Sequence, residues 1–260
     1  MSVKRILVTG ANGQLGKSLR DLSVSFPEMD FLFLSRSDLD ITSAIEIRKR
    51  FLKYRPDYCV NCAAYTQVDQ AEKTPLEAYE VNAKGVQNIA AACMEWGTVL
   101  IHISTDYVFD GKKKDGYVAT DKPNPINIYG KTKLEGELAI QEKMEKFFII
   151  RTSWLYSRKY PPNFYFTILE KARKGEDLSV TDTQKGCPTD SANLAKYILE
   201  KIQSGAIDYG VSHFTDRVSM TWYEFARSIL EEAGMLNVVR LQKAGNYHTF
   251  ARRPENSILN

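Results

Sequence analysis

Short apolar runs alternate with longer amphipathic stretches through the first 150 residues. Arg5–Val8, Phe31–Leu34, Tyr58–Asn61, Val99–Ile103 and Phe147–Ile150 have the length and composition of buried strands. Between them, Leu15–Leu22, Ser43–Tyr54, Pro75–Trp96 and Tyr129–Met144 space their apolar residues as helices do. Strand–helix alternation of this kind predicts an α/β fold, a doubly wound parallel sheet with right-handed crossovers. After Arg151 the pattern loosens. Pro161-Pro162 breaks the chain, and helices are expected over Phe164–Lys174, Ser191–Ser204 and Thr221–Ala233, with a short run at Leu178–Val180 and a polar tail. One domain is therefore expected over residues 1–152, and a smaller C-terminal lobe over 153–260 with some segments returning to the first domain.

Composition narrows the class without changing it. Apolar residues are 43% and charged residues 26% of the 260, ordinary for a globular chain. The net charge of +3, from 35 basic and 32 acidic residues, gives no case for nucleic acid as a partner. The one dense basic run, Lys112-Lys113-Lys114, reads as a solvated loop. No segment approaches the ~20 apolar residues of a membrane-spanning helix, and the start enters a strand without the apolar region of a secretory signal. Cys59 and Cys62 have C-x-x-C spacing, but inside a strand their side chains fall on opposite faces, so they read as small core residues. Four scattered cysteines suit a reducing compartment, and the expected location is cytoplasmic. His102, His213 and His248 show no metal-ligand spacing, His102 reads as a core residue, and no metal is expected.

The chemistry is carried at the ends of the strands, where ligands of such sheets bind. Gly10-Ala11-Asn12-Gly13-Gln14-Leu15-Gly16 follows the first strand and opens a helix, where glycines let a dinucleotide pyrophosphate approach the backbone. The first domain thus reads as a Rossmann-type dinucleotide-binding domain. Ser35-Arg36-Ser37-Asp38 ends the second strand. Arg36 there suits the extra phosphate of NADPH or is simply solvated, and an acidic residue would suit the ribose of NADH. Ser104-Thr105-Asp106 ends the fourth strand. Tyr129 and Lys133 stand four residues apart on one helical face, and an ammonium beside a phenol lowers the phenol's pKa towards the working range. A redox cofactor and a proton donor together reduce a carbonyl.

These segments resemble the extended short-chain dehydrogenase/reductases, most closely the dTDP-4-dehydrorhamnose reductases. The matching stretches are Val8–Gly16, Asn61–Glu72, Ser104–Gly111, Tyr129–Glu137, Arg151–Tyr156, Gly186–Thr189 and Arg253–Ser257, in family order along nearly the whole chain. The resemblance implies hydride transfer from NADPH or NADH to C4 of a 4-keto-6-deoxyhexose carried on dTDP. It implies a place in dTDP-rhamnose and polysaccharide biosynthesis and leaves a homodimer open. Its catalytic set is Thr105, Tyr129 and Lys133. Its cofactor set is Gly10, Asn12, Gly13, Gln14, Leu15, Gly16, Arg36, Asp40, Ile41, Ala63, Ala64 and Tyr65. Ser104, Asp106, Trp154, Asn163 and Arg253 would meet the nucleotide sugar. Trp154 can stack on a pyranose or belong to the core, and Arg253 can fork onto the diphosphate or form a structural ion pair. Related 4,6-dehydratases carry Asp-Glu after the Thr; here Tyr107 follows Asp106, which disfavours elimination. A reductase of another nucleotide-linked ketosugar and a non-catalytic subunit similar to the methionine adenosyltransferase β subunit are the rival readings. The basic segment Ser157–Pro162 departs from the family pattern and reads as a solvated loop.

Overall fold

The five apolar runs become five parallel strands of one sheet in the computed structural model, which describes residues 3–245 and 249–260. His248 lies outside the described residues. In chain order the elements are β1 (Lys4–Thr9), α1 (Gln14–Ser23), β2 (Met29–Leu34), α2 (Ala44–Tyr54), β3 (Tyr58–Asn61), α3 (Val68–Lys73), α4 (Pro75–Tyr79), α5 (Val86–Trp96), β4 (Val99–Thr105), α6 (Ile128–Lys143) and β5 (Phe147–Thr152). A π-helical turn, Glu80–Gly85, joins α4 to α5. Beyond them come β6 (Leu155–Tyr156), α7 (Phe164–Arg173), β7 (Leu178–Thr181), β8 (Lys185–Gly186), β9 (Thr189–Asp190), α8 (Ser191–Ser204), β10 (Gly210–His213), β11 (Met220–Thr221), α9 (Trp222–Glu232) and β12 (Leu241–Ala244).

The sheet order is β10-β5-β4-β3-β1-β2, so the chain reverses its direction of travel at β1 and opens a crevice beyond the strand ends there. Alternation along each strand feeds two apolar layers. Leu7, Cys59, Leu100 and Ile149 pack with α2, α5 and α6 on one face. Ile6, Val8, Val60, Ile101, Phe148 and Ile150 pack with α1 and α8 on the other. Cys59 and Cys62 fall in opposite layers, as strand alternation requires. The sixth strand, β10, was not evident in the sequence, because Gly210–His213 is half-buried at the sheet edge and has no alternation to read. α8 also serves this sheet, with Ser18 and Ser191 hydrogen-bonded at 2.8 Å across the α1–α8 contact.

A third apolar cluster unites α7, α9 and the parallel pair β7–β12 around Phe225, Ile229, Leu169 and Tyr156. The polar tail thus contributes a strand to this cluster. Helix starts follow local chemistry: Ser43, Asn127, Asn163, Asp190 and Thr221 each accept a backbone N–H at an N-cap, and Thr221 with Glu224 forms a reciprocal capping box.

Candidate active site

α1 begins without a cap. Gly13 occupies the N-cap position, offers no side chain to the first-turn N–H groups, and no acidic residue lies in that turn. Free N–H groups and the positive end of the helix dipole therefore face outward, a site for an anion. Close packing holds the turn in place. A Cβ on Gly10, where φ is +64°, would stand 2.6 Å from Ala63 N, and one on Gly16 would stand 2.6 Å from Ala11 Cα. Only glycine fits either position.

This helix end opens into a cleft of about 570 Å³ over the crevice between β1 and β3. Gly10, Asn12, Gly13, Gln14, Leu15, Gly16 and Ala64 line it, as do Ser104, Thr105, Asp106, Tyr129, Lys133, Trp154 and Arg253. Lys17, next to the glycine turn and expected to add positive charge there, joins them, as do Tyr160 and Trp222 from segments that carry no motif. Trp222 stands 68 residues beyond Trp154, yet the two indoles stack with centroids 3.7 Å apart, so one face of Trp154 is taken by Trp222. Trp154 adopts a positive φ of 46° to make that contact.

Six of the expected residues lie off the cleft wall. Arg36 is exposed in the turn after β2. Asp40 Oδ1 accepts from the N–H and hydroxyl of Thr42, both at 2.9 Å, and Ile41 is buried against Gly85. Ala63 and Tyr65 alternate with the lining residues Cys62, Ala64 and Thr66, and their N–H groups bond to Thr9 Oγ1 and Asn82 Oδ1. Asn163 caps α7, and its Nδ2 donates to Gln14 Oε1 at 2.8 Å and to the Ser157 and Tyr160 carbonyls. Its amide is fully engaged as a latch. The same segment reaches α1 through Lys159 and Tyr160, both on the Asp21 carboxylate, so Ser157–Pro162 is a strap across α1 and not a free loop.

Thr105 and Lys133 are buried, and Tyr129 is half-buried in the same cleft. Thr105 Oγ1 donates to Asp106 Oδ1 at 3.0 Å and accepts from Tyr107 N at 3.2 Å, and Tyr129 lines the same cleft. Burial raises the Tyr129 pKa above its ordinary value, offset in part by Thr105. This corrects the expectation of a phenol drawn down by Lys133. The Lys133 Nζ spends its bonds on the Ile103 carbonyl at 2.7 Å and on His102 Nε2 at 3.2 Å, and its own pKa falls to about 8 through burial. Tyr129 is therefore un-ionised across the neutral range, as a proton donor must be.

The expected sugar contacts divide. Ser104 donates to Glu137, which also takes a bidentate bond from buried Arg151, so its hydroxyl is committed to a structural ion pair. Asp106 accepts from Thr105 and from Ser153 at 3.0 Å, and burial lifts its pKa to about 6. Arg253 pairs with Asp69 at 2.8 Å while its Nε is buried without a partner among the described residues. The structural ion pair and a free donor coexist on one guanidinium. His102 is buried, as expected, but within a polar row and not an apolar core.

A profile described as the RmlD substrate binding domain matches residues 4–260. The dTDP-4-dehydrorhamnose reductase of Aggregatibacter actinomycetemcomitans is 41% identical over 98% of this chain and 90% of its own. The chain belongs to the dTDP-4-dehydrorhamnose reductase family. Among solved structures, the Bacillus anthracis dTDP-4-dehydrorhamnose reductase in complex with NADP superposes with a TM-score of 0.94 at 40% identity, covering 100% of this chain and 91% of that one. The Clostridium acetobutylicum orthologue gives 0.92 at 36% identity, covering 98% and 90%. Among the described residues no helix is long and apolar enough to cross a membrane.

Proposed function

We propose that the protein reduces the C4 carbonyl of dTDP-4-dehydrorhamnose, with NADPH as the preferred cofactor and Tyr129 as proton donor. The observation that carries this is the single cleft shared by an uncapped helix start and the Thr105, Tyr129 and Lys133 side chains. The first-turn N–H groups of α1 and Lys17 would hold the dinucleotide diphosphate. When bound, the reduced nicotinamide supplies the hydride. Thr105 and Tyr129 hold the carbonyl oxygen, and Tyr129 passes its proton to the alkoxide as charge develops there. The Lys133 ammonium, one helical turn on, offsets the phenolate left behind. The Arg253 guanidinium, which lines the cleft, would meet the diphosphate of the nucleotide sugar. Trp154 and Trp222 wall the cleft on the sugar side.

The carboxylates near the tip of β2 favour the phosphorylated cofactor. Asp38 Oδ2 is turned back onto Ser35, accepting its N–H at 2.9 Å and its hydroxyl at 2.6 Å, and Asp40 is held by Thr42. One oxygen of each carboxylate is thus already engaged within its own turn. Arg36 is exposed and carries a donor fork. The test of the reaction is Tyr129→Phe assayed by loss of NADPH absorbance with the 4-keto sugar nucleotide. Turnover should fall roughly 100- to 10,000-fold with cofactor affinity nearly unchanged, the range for loss of a general acid. Wild-type turnover in the Phe variant would remove Tyr129 from the chemistry.

A further inference from the structure

Lys17 and Asp21 stand four residues apart on α1, the spacing at which opposite charges on a helix pair with each other. They do not pair here. Asp21 Oδ2 accepts instead from outside the helix, from Lys159 Nζ at 2.6 Å and from the Tyr160 hydroxyl. These two bonds hold the Asp21 carboxyl below its ordinary pKa, so it stays charged and engaged. Lys17 has no carboxylate partner among the described residues. Its Nζ lies over the Tyr160 ring, 5.3 Å from the centroid. Arg20, the other cation of α1, lies over Phe33 of β2 at 5.0 Å and leaves Asp21 to the strap.

The strap is braced to reach Asp21. Ser157 is buried, and its Oγ accepts the N–H groups of Lys159 at 3.1 Å and of Tyr160 at 3.0 Å. Asn163 Nδ2 closes the turn on the Ser157 and Tyr160 carbonyls and reaches Gln14 in the first turn of α1. Of the two cations in this turn, Arg158 faces away, towards Asp190 and Glu232, and Lys159 faces α1. Gln14, Lys17 and Tyr160 all line the cleft at the uncapped start of the helix.

We propose that Lys159 and Tyr160 are positioning residues for the cofactor: they engage Asp21 and so keep the Lys17 ammonium available to the dinucleotide diphosphate. Lys159 supplies the counter-charge that Asp21 would otherwise draw from Lys17. The Tyr160 ring gives the Lys17 ammonium a resting place on the cleft wall, where attraction to the ring face is weaker than to a carboxylate. A diphosphate arriving at the first-turn N–H groups then meets a cation with no ion pair to break. This rests on reading Lys17 as a ligand of the diphosphate.

The experiment measures the dissociation constant of NADPH by fluorescence titration, without sugar nucleotide and at low ionic strength, where surface charges are least screened. Lys17→Met should weaken binding about ten- to a hundredfold, as for one charge-assisted phosphate contact. Lys159→Met/Tyr160→Leu returns Asp21 to Lys17 and should weaken it about two- to fivefold, the worth of one exposed ion pair. Adding Asp21→Asn to that pair should restore the wild-type constant. In a Lys17→Met background neither the strap substitutions nor Asp21→Asn should move the constant further. Failure of Asp21→Asn to restore affinity would show that the strap meets the cofactor itself. Equal changes in the Lys17→Met background would show a general effect of charge at the cleft mouth. Either result overturns the proposal, as does wild-type affinity in Lys159→Met/Tyr160→Leu. Wild-type affinity in Lys17→Met would remove Lys17 from the diphosphate site, and the proposal would fall with the reading beneath it.

Discussion

Gly130, the residue after Tyr129, shows how tightly the catalytic helix is seated. A Cβ built there would stand 2.1 Å from the Tyr107 carbonyl oxygen and 3.1 Å from Pro125 Cβ. The obstacle is backbone, which cannot rotate aside, so Gly130→Ala must push the start of α6 away from residues 106–108 by about 1 Å. Tyr129 rides on that turn and loses its register with Thr105. Overpacking of this kind costs about 1–3 kcal/mol, which lowers the melting temperature of a chain this size by about 3–10 °C. A displacement of about 1 Å at a reacting group costs about 100-fold in rate, so kcat should fall by that order. Gly97→Ala is the control. It caps α5 with φ +67° and has open space at its Cβ, so it carries only left-handed strain of about 1–2 kcal/mol, and it lies just before β4, at the opposite end of the strands from the cleft. Thermal melting and steady-state kinetics on both variants separate the effects. If Gly130→Ala melts and turns over like wild type, the seating of α6 on that carbonyl is not what places Tyr129.

Two further outcomes follow from the site. Asp106, with a folded pKa near 6 against 3.8 in a free side chain, binds more protons folded than unfolded, so stability falls as pH rises from about 4 to 6 and stays lowered above; the difference is about 2–3 kcal/mol. Asp106→Asn should abolish that slope, so its melting temperature should gain on wild type between pH 4 and 7, and parallel curves would refute the buried carboxylate's cost. Arg36→Ala should lower kcat/KM for NADPH about ten- to a hundredfold and leave NADH nearly unchanged, as expected for one charge-assisted phosphate contact. An equal effect on both cofactors would return Arg36 to the solvent.

Much of this was legible because apolar runs and strand ends are local signals. Tyr58–Asn61 and Ser191–Ser204 were read to the residue, and the glycine turn, Thr105, Tyr129 and Lys133 do meet in one cleft. Other features depend on which strands become neighbours. His102 reads as core from its apolar surroundings, and only the register that sets it beside Asn61 turns it into a member of a polar row. β10 is four half-buried residues whose only signal is their partner, β5. The helix expected unbroken over Pro75–Trp96 contains the π turn, which sets Asn82 to bond Tyr65 and Thr132; its apolar spacing alone does not betray the extra residue. The pKa of Tyr129 was misjudged because spacing gives the nearby charge but not the depth of burial, and depth wins.

The lateness of α8 and β10 in the chain has a consequence for synthesis. Ile6, Val8, Val60 and Ile101 belong to strands complete by residue 105, but the α8 side chains that cover them, Leu194, Ala195, Ile198 and Ile202, follow some ninety residues later. At translation rates of roughly 5–20 residues per second, that apolar face waits on the order of 5–20 s for its cover. The nascent chain carries an unfinished sheet through that interval, which makes it a natural client for chaperones that shield exposed hydrophobic surface at the ribosome.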